Sequence, residues 1–423
     1  MALLSTIIIG IVYFISLYFA IFLILVYLDY SPNFKKEKSN LEPKKYPFVS
    51  ILIPAYNEEE TIIGTMKSVM DINYPKDLLD VIVIDDGSSD STKGKIEGFI
   101  KDNDVPHFRL LSHENIGKAA SMNKAIDMAK GEFFACLDAD SFVDKNTLRK
   151  MLSLYYKEND PQLAVITPAM KVFKPKNVLQ KIQWIEYLIM IFAGRLTSHL
   201  DSIYVAPGPF SLYRTDVIKE VGGFDCKTLT EDQEIAYRLQ EKHYRIKQCF
   251  DGYVYTVSPN KFIGFYKQRR RWYLGSMTCA YQYRKVIANK EYGDFGLIQM
   301  IKNVFGYGLA IAGIGFAFYL FGWPMILKFM NGIQINFDFW PYLKNINWNV
   351  SYLLFDIQKL FIFGILFLTG LFFFYMSHKN AKEKMNAVGL VPIVPYFAFY
   401  YLLKGAILMM CFYEFTRRKK IKW

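Results

Sequence analysis

Cysteine is scarce in this chain: five residues in 423, at positions 136, 226, 249, 279 and 411, odd in number, widely spaced and without a CxxC pair. That spacing excludes a disulfide framework and a cysteine-based zinc site, and it fits a cytosolic redox compartment. Glycine-rich phosphate loops are missing too. In "GSSDSTKGK" six residues separate the two glycines and no Ser or Thr follows Lys95, which breaks the P-loop pattern, and no G-x-G-x-x-G follows a strand-like run. A nucleotide here would have to be held by acidic contacts to its base and ribose and by a metal on its phosphates, which points away from dinucleotide enzymes. Internal repeats and low-complexity tracts are absent. The leader "MALLST" carries no basic residue, and the uncharged run behind it, "ALLSTIIIGIVYFISLYFAIFLILVYL", is longer than the roughly 7–15 residues of a signal core. It exceeds the roughly 20 residues that cross a bilayer, so residues 1–28 read as a transmembrane anchor.

What the chain has in abundance is apolar surface, at 52% hydrophobic and 17% aromatic residues, too much for a purely soluble protein of this length. Further uncharged runs at 303–327, 360–377 and 386–403 are candidate membrane segments. The last carries Pro392 and Pro395 and is followed by Lys404 and "GAILMMCFYEF", so its span is ambiguous. Three C-terminal spans would also leave "RRKKIKW" opposite a cytosolic domain, against the positive-inside bias. The formal charge of +12 concentrates beside these segments, in "NFKKEKSNLEPKK" and "RRKKIKW". That distribution suits anionic lipid rather than nucleic acid.

Between the anchor and these runs the pattern changes. From Pro47 to about Pro168 short apolar runs alternate with polar helical windows, as in a parallel sheet with crossover helices. The strand candidates are "FVSILIP", "DVIVIDD", "HFRLLS", "EFFACLD" and "LAVITP", nearly continuous in apolar residues because helices would cover both faces. Helices are expected to start near Glu58, Asp90, Gly117 and Asp144, with Asp90 and Asp144 as N-caps. Residues 176–200 place apolar side chains at 178, 182, 185, 189, 192 and 196, one face of an amphipathic helix that either packs on the soluble domain or lies on the membrane. The expected organisation is therefore an anchor at 1–28, a basic linker at 29–46, an α/β domain at 47–260, an interfacial helix at 261–297 and a C-terminal membrane region at 298–423 with about three segments.

Ligands of open parallel sheets bind beyond the carboxyl ends of the strands. Here those ends are acidic: "IPAYNEEE", "VIDDGSSDS" and "CLDADS". Three acidic loops at one edge repel one another unless a cation or a hydrogen-bonding ligand lies between them. Asp138 and Asp140 flank a single alanine after a buried strand, where both carboxylates can face one divalent ion. A D-x-D is common by chance, and Asp102 and Asp104 form one with no strand before it, so position separates the two pairs. Farther on, "TLTEDQEIAYRLQEKHYRI" reads as a helix opening at Thr230 with Glu231 and Asp232 in its first turn. In "KQRRRWYLGS", Gln268, Arg271 and Trp272 stand at i, i+3 and i+4 of a helix and share one face, whereas Arg269 and Arg270 point elsewhere, toward headgroups or local structure.

"AYNEE", "DDGSSD", "NIGKAASMN", "DAD", "TED" and "QRRRW", in this order over about residues 47–275, resemble the motifs of membrane-embedded family 2 glycosyltransferases, the group that includes poly-N-acetylglucosamine, hyaluronan, cellulose and chitin synthases. The layout of one anchor and a C-terminal membrane region is most similar to the poly-N-acetylglucosamine synthases. The resemblance implies an α/β GT-A-type domain with a Rossmann-like, mostly parallel sheet, cytosolic and joined to transmembrane and interfacial helices of the cell membrane. It implies an inverting, processive hexosyl transfer from a UDP-sugar donor to a growing β-linked glycan. On these positions, Tyr56, Glu58 and Asp86 would contact uridine, Lys118 and Glu231 would lie at the substrate, and Asp138 and Asp140 would hold Mg²⁺ or Mn²⁺ on the diphosphate. Asp232 would be the general base, Arg271 would meet the diphosphate, and Gln268 and Trp272 would meet the acceptor, with "VAPGPFSLYR" lining its pocket. A non-processive transferase with a glycolipid acceptor shares the same motifs. Four candidate spans are few for a glycan channel, which favours that alternative or a small membrane partner subunit. A transporter or receptor would account for the membrane segments but not for acidic loops gathered at one sheet edge.

Overall fold

The computed structural model describes residues 2–35, 42–334 and 357–417. Its centre is an eight-stranded sheet built from β1 (Val49–Ala55), β2 (Leu79–Asp86), β3 (Phe108–His113), β4 (Phe133–Cys136), β5 (Ser141–Val143), β6 (Leu163–Val172), β7 (Leu212–Arg214) and β8 (Arg245–Thr256), in the order β3-β2-β1-β4-β7-β6-β8-β5. All five expected strands are present. Four pairings are parallel (β1 with β2, β1 with β4, β2 with β3, β6 with β8) and three antiparallel (β4 with β7, β6 with β7, β5 with β8). The sheet is mostly parallel, as expected: the five expected strands run in one direction, and the short β7 enters antiparallel between β4 and β6.

The strands read as continuous apolar runs because each face meets a different helical layer. Val49, Ile51, Ile53, Val81 and Val83 pack with Ile62, Met66, Ile96, Phe99, Leu148 and Met151 from α2 (Ile62–Met70), α3 (Thr92–Asp102) and α5 (Thr147–Glu158). The alternate residues Leu52, Ile82, Ile84 and Phe134 pack with Met122, Ile126, Val217, Ile235 and Leu239 from α4 (Lys118–Met128), α7 (Thr215–Glu220) and α8 (Glu231–Glu241). Burying a side chain of this size contributes about 1.5–3 kcal/mol, so a one-residue register slip would exchange both layers at once.

The expected N-caps move by one or two residues. Ser91 and Asn146 occupy the cap positions, while Asp90 and Asp144 each accept the backbone N–H two residues on, at 3.0 and 3.1 Å, as Asx turns. α6 (Val178–His199) opens on a full capping box between Asn177 and Gln180. Ile182, Ile185, Phe192 and Leu196 on its expected apolar face are buried, and the helix packs against β6 and β8 and against a later helix, α12 (Ile357–Asn380). The helix is therefore packed on the α/β domain along this face, while Val178 and Met190 stay exposed.

Around the sheet stand α1 (Ala2–Tyr30), α9 (Phe262–Gln282), α10 (Ile301–Ala317), α11 (Trp323–Gln334), α12 and α13 (Tyr401–Thr416). Among the described residues Tyr13–Tyr30, Phe295–Gly315 and Ile393–Thr416 are long and apolar enough to cross a membrane, and the 360–377 run lies within α12. The run at 386–403 is corrected: the helical segment starts at Ile393 and continues through Lys404 and "GAILMMCFYEF". Lys404 does not break it because its ammonium is paired with Glu186 at 2.6 Å.

Candidate active site

The parallel register of β1, β2 and β4 brings three strand ends to one edge, and the loops that follow are laced together. Asn57 Oδ1 accepts the Ser89 N–H at 2.8 Å, the Glu58 N–H donates to Thr92 Oγ1 at 2.8 Å, and Lys95 Nζ donates to the Glu59 carbonyl at 2.8 Å. Asp86 is buried and accepts the N–H groups of Ile116 and Gly117 at 2.8 and 3.0 Å, which pins the turn leading into Lys118. Gly87 at φ +71° can bear no side chain, since a Cβ would lie 2.5 Å from the Asn115 nitrogen. Tyr56 is half exposed at this edge.

Beyond the loops a cavity of about 900 Å³ opens. Lys118, Asp138, Asp140, Glu231, Asp232, Gln268, Arg271 and Trp272 all line it. Tyr56, Glu58 and Asp86 stand at the adjoining sheet edge and do not line it. Lys118 Nζ bridges Asp138 at 2.7 Å and Glu231 at 2.8 Å, joining the β4 loop to α8. Burial opposes its charge, but the two carboxylates outweigh burial and raise its pKa well above the usual lysine value. Glu231 is the mirror case: burial pushes it up, yet the Lys118 ammonium holds it below the usual glutamate value. Asp140 gains less from Lys118 and from the Ser141 hydroxyl, which donates to it at 3.1 Å. Burial, then the charges of Asp138 and Glu58, push its carboxyl to about 7. Asp232 is pushed up to about 6, first by burial and then by the charge of Glu231, against the pull of Lys118 and Arg271. Glu58 is likewise raised, by burial first.

The opening turn of α8 carries Glu231 and Asp232 as expected, although Thr230 makes no side-chain cap bond and the helix ends at Glu241. On α9 the three-residue face also holds. Gln268, Arg271 and Trp272 line the cavity, and Gln268 Oε1 is buried with no hydrogen-bond partner among the described residues. Arg269 is buried, 2.5 Å from Glu186, and Arg270 makes three bonds to Glu414, at 3.3, 3.0 and 2.6 Å. Of the two expectations for these arginines, local structure is the one observed.

Two contributions take their exact place only in the fold. Glu186, on α6, lies 83 residues from Arg269 and 218 from Lys404, and its linear signal is that it is the sole carboxylate of a largely apolar helix. Gly208, in "VAPGPF", sits against the site: a Cβ there would lie 2.9 Å from Asp138 Oδ2 and 3.1 Å from Lys118 Nζ. Gly208→Ala is therefore expected to displace the Asp138–Lys118 pair and slow turnover by about ten- to a hundredfold, the scale of a small misplacement at a reacting centre. Initial rates and melting temperature check this, and a wild-type rate would show that the loop has slack.

Residues 50–222 match Glycosyl transferase family 2. A poly-beta-1,6-N-acetyl-D-glucosamine synthase of Staphylococcus epidermidis is 30% identical over 375 residues, covering 88% of this chain and 84% of the relative. The chain belongs to the family 2 glycosyltransferases. The synthase of the same name in Staphylococcus aureus strain COL is 31% identical over 267 residues, 62% of this glycosyltransferase and 63% of the relative. Among solved structures, a mannosyltransferase of Pyrobaculum calidifontis in complex with GDP-Man and Mn²⁺ aligns with a TM-score of 0.59 at 16% identity, covering 96% of this chain and 100% of the other. That likeness fixes the fold as GT-A-type, with helices added around the mixed sheet.

Proposed function

We infer that this glycosyltransferase is a processive, inverting synthase that transfers N-acetylglucosamine from UDP-N-acetylglucosamine to the end of a growing β-linked glycan. The sugar is the one in the names of its Staphylococcus relatives. The processive reading is supported by the synthase relatives and by the reach of the cavity: the same space is lined by Asp138, Asp232 and Trp272 and by Tyr307 and Gly313 of α10 and Tyr401 and Leu408 of α13. A glycan elongated at Asp232 has a route toward the membrane-length helices. The catalytic domain would face the cytosol at the cell membrane, with α9 at the interface, and a small membrane subunit would join the channel.

In the chemistry, an acceptor hydroxyl attacks C1 of the donor sugar, the C1–oxygen bond to the diphosphate breaks, and configuration inverts. Asp232 takes the hydroxyl proton, a role suited to a carboxylate whose pKa of about 6 makes it a better base than an ordinary aspartate. Lys118 and Arg271 meet the charge on the departing UDP, while Tyr56, Glu58 and Asp86 hold the uridine and Glu231 holds Lys118 in place. Trp272 stacks on the acceptor ring, and Gln268 Oε1, otherwise unpartnered, accepts from a sugar hydroxyl.

Among the described residues no group of three or more His, Cys, Asp or Glu forms a metal-binding cluster. The donor set still fits a divalent cation shared with substrate oxygens, because Asp138 and Asp140 line one cavity, and the Asp140 carboxyl is pushed to about 7 by burial and then by the charges of Asp138 and Glu58. Asp138 and Asp140 would hold Mg²⁺ or Mn²⁺, which supplies charge neutralisation on the diphosphate. The functional test is to incubate membranes with labelled UDP-sugars and size the product. A polymer labelled from UDP-N-acetylglucosamine is expected. A labelled lipid would replace this reading with the glycolipid one.

A further inference from the structure

Behind the cavity wall lies an ionic group that the chemistry above does not use. Glu186 of α6 is buried and accepts from Arg269 of α9 at 2.5 Å, from Lys404 of α13 at 2.6 Å and from the Tyr400 hydroxyl at 2.6 Å. Burial opposes its ionisation, but the Arg269 and Lys404 charges hold the carboxyl down at about 2. Two cations meet on one carboxylate, so neither helix can leave without stranding a buried charge. Lys404 lines the acceptor route, and Arg269 reaches it through Trp272. The Arg269 guanidinium lies 4.3 Å from the centroid of the Trp272 ring, and Lys404 lines the cavity beside Leu408.

We propose that Glu186 is a positioning residue for the acceptor: through Arg269 it fixes the Trp272 indole from behind, and through Lys404 it fixes the α13 wall against α6. Lys118, Asp138 and Asp140 have their own partners and are not joined to this group, so the donor side is spared. The proposal rests on Trp272 meeting the acceptor, and the variants are chosen to separate the two claims.

Arg269→Lys keeps the charge for Glu186 but loses the flat guanidinium that stacks on the indole. It is expected to raise the KM for short acceptor glycans about tenfold and to shorten the product, with UDP affinity and donor KM within about twofold of wild type. Glu186→Gln, which keeps the shape but cannot accept from both cations, should do the same more strongly. Trp272→Ala should impair acceptor use by itself, and adding Arg269→Lys to it should cost little more, because the two act through one contact. Acceptor effects from Trp272→Ala alone, with none from the two hub variants in folded protein, would overturn the positioning role and keep Trp272. No effect from Trp272→Ala would overturn the acceptor reading beneath it. Where Glu186→Gln fails to fold, Arg269→Lys decides, and an equal loss of UDP affinity and acceptor use in that variant would mark the group as structural only.

Discussion

Asp138→Asn and Asp140→Asn are each expected to cut sugar transfer by about a thousandfold, the equivalent of about 4 kcal/mol of transition-state charge stabilisation. Asp102→Asn and Asp104→Asn are expected to stay within about twofold of wild type. The two D-x-D pairs differ only in place. Asp102 ends α3 and Asp104 follows it in an exposed turn, whereas Asp138 and Asp140 follow β4 and line the cavity. Asp140→Asn is the sharper probe. Its carboxyl is held at about 7 by burial and by the charges of Asp138 and Glu58, so a neutral amide is expected to keep or raise the melting temperature, and that measurement separates lost activity from unfolding. Asp138→Asn also strips a partner from Lys118, and its melting temperature is expected to fall. A titration of Mn²⁺ in the presence of UDP should give binding for wild type and little for Asp140→Asn. Full activity of the wild type in excess chelator would sink the metal role.

The site residues that could be read in the sequence are those whose signal is local. A strand followed by paired acids places Asp138 and Asp140 by itself, and an i, i+3, i+4 spacing puts Gln268, Arg271 and Trp272 on one face whatever the helix packs against. The signal failed where a partner is distant or an element is short. β7 has only three residues and owes its place to β4 and β6, which flank it. β8 was hidden because "RIKQCFDGYVYT" follows a helical run without Gly or Pro between them, and the break falls at His243, which takes φ +62° without being glycine. Arg269 and Arg270 are indistinguishable from headgroup-binding residues until Glu186 and Glu414 come beside them, 83 and 144 residues away. The same holds for Lys404, which looks like the end of a membrane segment and is neutralised inside one.

Asp232→Asn is expected to leave UDP affinity nearly unchanged, to remove turnover by about 10²–10⁴-fold and to make the protein more stable. The first two effects follow from the role of a base, which acts on the acceptor proton and contributes little to holding the nucleotide. The third follows from its ionisation. In the folded chain the carboxyl titrates at about 6, above the ordinary value of 3.8, because burial and the charge of Glu231 disfavour the anion. The folded state therefore binds this proton more tightly than the unfolded one, so stability falls as pH rises from about 4 to about 6 and the penalty persists above. Two pKa units correspond to roughly 2–3 kcal/mol. Asn carries no charge, so the variant should melt higher than wild type at pH 7–8 and alike near pH 4. For the wild type, kcat/KM should lose activity below about pH 6 as the base is protonated. A variant that melts lower at pH 7–8, or that loses UDP affinity together with turnover, would show that Asp232 holds the structure or the donor and that the proton goes elsewhere.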